Sequence, residues 1–219
     1  MCHLGVVYDR SVERQVLTFA VSGKLWNKSL VMVDEETRSE WSHQLGRCMK
    51  GPLEGTDLTI IPSTMTNWQA WRSTYPETTI VKLKRSAEEY RTNFYTPANL
   101  NQYVIGLTIN NQSIAWTLDR LANGNSPIRN TKLAGRPILV VWDDEYKTAH
   151  VFERILAGTE YEFRWKQGRL TDHVGGEWDF RSGACVRGKS KGGRLPRAQA
   201  MISLKPAWEL FRPKTHWKE

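Results

Sequence analysis

The chain has 219 residues with 31 Lys+Arg against 23 Asp+Glu, a net charge of +8, and 40% hydrophobic residues including ten Trp. That mixture supplies a core and excludes a disordered chain. The longest strongly apolar run, residues 138–142, falls far short of the roughly 20 residues a membrane helix needs, so no membrane span is expected, and Met1-Cys2-His3-Leu4 carries neither the basic nor the apolar region of a signal peptide.

In chain order, β-branched or aromatic runs bounded by Gly, Pro and Asn predict strands at 6–9, 16–21, 30–34 and 58–61. Trp68, Trp71 and Tyr75 then follow helical spacing, with Ser63, Thr64 or Thr66 as N-cap and Pro76 as terminator. A strand is predicted at 80–83. Residues 84–102 read as a linker, with a solvated helical connector at 86–90. Two apolar runs around Asn110-Asn111, between Tyr103 and Trp116, predict a β-hairpin. Strands follow at 138–142, 149–155 and 160–165. A second short helix begins at Pro206, places Trp208 and Phe211 on one face and stops at Pro213.

The chain repeats itself. A shift of 137 sets Glu40-Trp41 on Glu177-Trp178, Gly46 and Cys48 on Gly183 and Cys185, Gly51 and Gly55 on Gly188 and Gly192, Leu58 on Leu195, Ala70-Trp71 on Ala207-Trp208, Pro76 on Pro213 and Thr78 on Thr215. This makes eleven identities in the 39 positions from 40 to 78, where unrelated sequences give about two or three. A shift of 134 sets 6–9 on 140–143. The expected fold is therefore mainly β (α+β): two duplicated β-rich units, 1–83 and 103–219, each a small twisted sheet or partial barrel with one short capping helix. The second unit is led by the hairpin; the first shows no such lead-in.

Met1-Cys2-His3-Leu4-Gly5-Val6-Val7-Tyr8-Asp9-Arg10, the stretch Phe19 to Asp34 with Val21-Ser22-Gly23 and Asn27-Lys28-Ser29-Leu30-Val31-Met32, Gly51-Pro52-Leu53-Glu54-Gly55 and Thr66-Asn67-Trp68 with Trp71 together resemble the DUF3179 family of domains of unknown function. The resemblance covers most of 2–83 and, more loosely, 103–143. Similar members carry C-x-x-C just before G-x-G-V-V-Y-D, so Cys2 matches its second cysteine. They also begin with an export signal and a hairpin. The resemblance thus implies an extracytoplasmic location for full-length relatives and an N-terminally truncated chain here. His3 stands where Gly is usual and His43 where Gln is usual, and no activity is implied.

Among residues with chemical character, Cys2 and His3 form the one local thiol–imidazole pair. With His43, and with His150, His173 or Met32 as further ligands by type, they are candidates for copper or zinc, although none has metal-ligand spacing. Asn27, Ser29 and Met32 make a candidate binding loop. The equivalent cysteines Cys48 and Cys185 are read as buried small hydrophobes rather than reactive thiols, a disulfide requiring the copies to face each other. Asp9 and Asp143 are read as turn acceptors rather than an acid/base pair, and the pairs Trp41/Trp178 and Trp71/Trp208 as packing residues.

Residues 181–219 hold ten basic and two acidic side chains, the whole excess charge, densest at 187–197. That segment is either a solvated loop or an anion- or nucleic-acid-binding surface. No hydrolase, P-loop or dinucleotide motif is present. Two function classes remain open: a binding or structural module with its pocket near Cys2, His43 and Asn27, and a redox enzyme using the family's C-x-x-C.

Overall fold

Two-residue turns fix where the strands reverse. Asn27-Lys28, Asn110-Asn111, Ala134-Gly135 and Gln167-Gly168 all hold positive φ at both positions, between 46° and 79°, the mirror-image turn whose twist matches that of paired strands. Residues 5–80 and 97–218 are described by the computed structural model. The chain is mainly β, 46% strand against 12% helix, in open sheets.

In the first half, Phe19–Trp26, Ser29–Asp34, Glu40–Ser42 and Arg47–Lys50 form a four-stranded antiparallel meander. The strand predicted at 16–21 is divided: Gln15–Val16 pairs with Ser11–Val12, and fully buried Leu17 carries the chain into Phe19–Trp26. Val12, Leu17, Trp41, Cys48 and Leu58 form its core. The second half contains a comparable meander of Phe163–Lys166, Arg169–Asp172, Glu177–Trp178 and Cys185–Arg187. It also contains a three-stranded sheet of Ile128–Leu133, Arg136–Asp143 and Thr148–Glu153, and the expected hairpin Tyr103–Ile109/Gln112–Thr117. Ala200–Leu204 adds antiparallel to one hairpin strand and His216–Trp217 parallel to the other.

One face of the hairpin sheet packs Ile105, Leu107, Ile114 and Trp116 on Ile138, Val140, Trp142 and Val151 of the three-stranded sheet. The far face of that sheet packs Leu139, Val141 and Phe152 on Phe163, Leu170 and Trp178 of the meander. Arg136–Asp143 is buried at every position but its first, which is why 138–142 reads as a continuous apolar run.

Among the described residues three short α-helices lie between strands: α1, Trp68–Thr74; α2, Leu118–Ala122; and α3, Lys205–Phe211. The cap of α1 is Asn67, whose Oδ1 accepts from Ala70 N at 2.8 Å, and not Ser63, Thr64 or Thr66. An Asx side chain one residue before the first turn reaches the free amides directly. Trp68 is 45% exposed, so the expected face of Trp68, Trp71 and Tyr75 is narrower than its spacing suggests. On α3, Trp208 is fully buried and Phe211 packs edge-on against Trp26 at 4.9 Å. Gly106 permits this: a Cβ there would stand 2.5 Å from the Trp208 ring. The predicted strand at 80–83 and the connector at 86–90 lie, apart from Ile80, outside the described residues; of the 84–102 segment, 97–102 forms a 3-10 turn.

Corresponding contacts occur in both halves. Trp41 Nε1 donates to Asp34 and Trp178 Nε1 to Asp172, both at 2.8 Å. Trp71 Nε1 donates to Thr78 at 2.9 Å and Trp208 Nε1 to Thr215 at 2.8 Å. Gly46 N bonds Ser42 O and Gly183 N bonds Asp179 O; Gly55 N bonds Cys48 O and Gly192 N bonds Cys185 O. Helices α1 and α3 have equal lengths, 137 residues apart.

The halves meet crosswise. The segment leading into α1 rests on the second half, with Thr148 Oγ1 donating to Met65 O at 2.6 Å and Arg197 reaching Thr64 and Tyr75. The segment carrying α3 rests on the first half: Gly5 bridges Ile202, Gln44 Nε2 donates to Ser203 Oγ at 3.4 Å, and Val6 and Ile60 cover Met201 and Trp208.

Candidate functional site

The junction beneath α1 is polar. Asp143 ends a central strand and His150 lies on its neighbour, both turned into the interior and 2% and 5% exposed. An isolated buried carboxylate is strongly disfavoured, and this one is neutralised from outside the sheet. Arg181 Nε and Nη2 donate to Asp143 Oδ2 and Oδ1 at 2.7 and 3.2 Å, and Nη2 also reaches Glu145. The guanidinium lies over Tyr146, 4.4 Å from the ring centre. Burial pushes the Asp143 carboxyl up, but the bonds from His150 and Arg181 and the arginine charge outweigh it and hold the pKa at about 2. The same carboxylates raise that of Arg181.

His150 Nε2 faces Asp143 Oδ2 at 3.4 Å. Burial lowers the imidazole pKa, and the bond to Asp143 only partly opposes this, so the ring is neutral near pH 7. An ionised Asp143 accepts, which places the proton on Nε2 and leaves Nδ1 as an acceptor. Nδ1 is buried and has no partner among the described residues, and neither has Thr66 Oγ1. Both residues line one small cavity, together with Ala70, Trp71, Tyr75 and Arg197, whose central free space of about 10 Å³ is the size of one water molecule. Arg197 donates to Thr64 Oγ1 at 2.8 Å, to Tyr75 Oη at 3.3 Å and to Arg181 O, and stands over Phe152. The cavity therefore offers an acceptor at Nδ1, a hydroxyl at Thr66, and a cation at its wall.

Cys2 and His3 lie outside the described residues. His43 is half-buried with Nδ1 unpartnered, and its carbonyl accepts from Tyr8 Oη at 2.8 Å. Asn27 sits at the exposed tip of a hairpin turn, Ser29 is buried, Met32 packs on the Trp41 core, and His43 N bonds Leu30 O at 3.1 Å on the neighbouring strand. His150 belongs to the Asp143 cluster, whereas His173 Nδ1 accepts from Glu162 N at 3.3 Å. Among the described residues no group of three or more His, Cys, Asp and Glu could hold a metal ion.

Cys48 and Cys185 are free, buried and directed at the carbonyls of Lys50 and Arg187, at 3.6 and 3.3 Å, and burial pushes both thiols up. Asp9 is the expected turn acceptor, taking Ser11 N at 2.8 Å. Asp143 accepts one turn amide, Tyr146 N at 3.3 Å, but its main partners are Arg181 and His150. Within 187–197 the arginines are engaged: Arg187 with Glu177, Arg194 with Ser182 O, and Arg197 in the cavity wall. Arg181, Arg197, Tyr75 and Thr66 were not visible as site residues in the sequence. The available signal was that 143, 150, 181 and 197 hold Asp, His, Arg and Arg where the first half, by the shifts above, holds Asp9, Val16, Gln44 and Ile60.

A family model described as a protein of unknown function, DUF3179, matches residues 1–215. No curated protein matches the chain, and no solved structure does.

Proposed function

Since the chain belongs to the DUF3179 family, whose description assigns no activity, the reading comes from the site, and we propose that the protein is a binding module made of two related units, 1–83 and 103–219 joined by 84–102, with its ligand cavity under α1 where the units cross. The paired indole bonds, the equal glycine turns and the equal helices support the two-unit reading. The observation that carries the binding reading is the buried, unpartnered His150 Nδ1 facing a polar cavity. A buried acceptor without a donor costs about 1–3 kcal/mol, and a ligand group donating to it recovers that loss. The free space admits one water-sized group, so the ligand inserts a single hydroxyl or amino donor toward Nδ1 while an acceptor on the rest of it faces Arg197 at the wall.

A fragment screen on the intact chain, read by the His150 ring resonances in NMR, tests this. Hits should combine a donor with an acceptor and shift both the His150 ring signals and the Thr66 and Trp71 amide signals, and in His150→Phe the amide shifts should vanish. A donor-bearing set that leaves His150 unmoved overturns the reading. The redox alternative gains no support from Cys48 and Cys185, whose buried thiols lack thiolate character.

A further inference from the structure

The corresponding junction, where α3 ends over the first half, holds a different imbalance. Arg212 occupies the place that Tyr75 takes after α1. Its Nε donates to Thr108 Oγ1 at 3.0 Å, its Nη2 to Gln44 O at 3.1 Å, and its guanidinium stacks on Trp208, 4.4 Å from the ring centre. All these partners are neutral. Among the described residues Arg212 forms no ion pair, and Nη1 is shielded from water with no acceptor. The ionisable group that interacts with it, Tyr8, stays a neutral phenol: burial raises its pKa, and its hydroxyl is spent on His43 O. Burial in turn lowers the Arg212 pKa to about 10.

A desolvated guanidinium without a counter-charge is unfavourable, and the fold does not demand one here, because a tyrosine serves at the equivalent position. Arg212 also lines an open groove with about 420 Å³ of free space, whose walls carry Arg47, Lys214, Thr108, Asn111, Ser113 and a single carboxylate, Asp57. Asp57 already faces Arg47 at 3.5 Å. Among the described residues Arg212 and Lys214 are thus left uncompensated, beside the Asn111 amide and the Thr108 and Ser113 hydroxyls, which bond each other at 2.8 Å and leave one hydroxyl hydrogen free.

We infer that this groove is an anion site that takes the carboxylate or phosphate group of a small ligand, held by Lys214, Asn111 and the free hydroxyl hydrogen of the Thr108–Ser113 pair, and drawn in by the uncompensated charge of Arg212 in the groove wall, whose Nη1 itself lies too deep to be touched. The inference is independent of the His150 cavity, which lies at the other junction.

The test is thermal unfolding of the intact chain in inorganic phosphate and in citrate, each against sodium chloride at equal ionic strength. The melting temperature should rise with phosphate or citrate beyond the chloride control and saturate. Arg212→Tyr, which copies the other junction, should abolish the excess while His150→Phe keeps it, and Lys214→Ala should weaken binding by roughly three- to tenfold. If Arg212→Tyr fails to fold, the Arg212 Nε resonance of the unsubstituted chain serves instead and should shift along a saturating phosphate titration. Equal stabilisation by chloride and phosphate, a full response in folded Arg212→Tyr, or an Nε signal indifferent to phosphate overturns the site.

Discussion

At the end of α1, Tyr75 receives a hydrogen bond from Arg197; at the end of α3, Arg212 donates to Thr108 and Gln44. The first junction is internally balanced, Arg181 lying against Asp143 and Glu145, and it closes around a water-sized cavity. The second has an uncompensated cation and stays open to a groove. Yet the indole bonds inside each half, to Asp34 and Asp172 and to Thr78 and Thr215, differ by no more than 0.1 Å within each pair. Similar indole bonds thus accompany two different polarities. The lining of each junction is left to vary.

The sharpest way to break that comparison is to remove the indoles. Trp208→Ala, at a fully buried site against Gly106, should lower unfolding free energy by about 3–5 kcal/mol in urea titrations. Trp71→Ala, whose site is only partly buried, should cost about 1–3 kcal/mol. Equal losses would mean that the two helices are anchored alike despite their different burial. Next, Asp143→Asn leaves Arg181 without its main counter-charge and should cost about 3 kcal/mol. Asp9→Asn, on an exposed turn, should leave the unfolding midpoint within error of the parent.

Acid sharpens the contrast further. The Asp143 pKa is depressed from 3.8 to about 2, so its contribution, about 2 kcal/mol at most, is full above pH 4 and lost as pH falls toward 2. His150 is a base whose folded pKa is lowered, so protonation favours the unfolded chain, and stability should begin to decline as pH falls through about 6.5. Denaturant midpoints across this range should lose the His150 slope in His150→Gln and the steeper acid loss in Asp143→Asn. The smallest effect belongs to the thiols. Cys48→Ala and Cys185→Ala should each cost about 1 kcal/mol, and neither thiol should react with an aromatic disulfide reagent until the chain unfolds.

Much of the β architecture could be read from local pattern. The hairpin around Asn110-Asn111 and the boundaries near Pro76 and Pro213 follow from backbone preferences of the residues themselves, which act without regard to distant partners. Pattern alone does not single out Asn67 as the cap, because three hydroxyl residues close before it offer the same chemistry and only the turn geometry chooses among them. The strands Ile128–Leu133 and Arg169–Asp172 escaped notice because polar residues interrupt their apolar pattern, and they are strands because neighbours pair with them.

By itself the amino-acid sequence determined the identities between positions 137 residues apart, the packing character of Trp41, Trp178 and Trp208 and of Cys48 and Cys185, and the excess of positive charge at the C-terminal end, since each is a property of residue type and spacing. The tertiary structure alone decided that α1 lies on the second half and α3 on the first, and so which charges meet. Asp143, His150, Arg181 and Arg197 are separated by up to 54 residues and gain their chemistry only when strand pairing and helix exchange bring them out of water together. Position 212 shows the same rule from the other side: an arginine is ordinary in solution, and it becomes a site because the fold buries it and supplies no carboxylate.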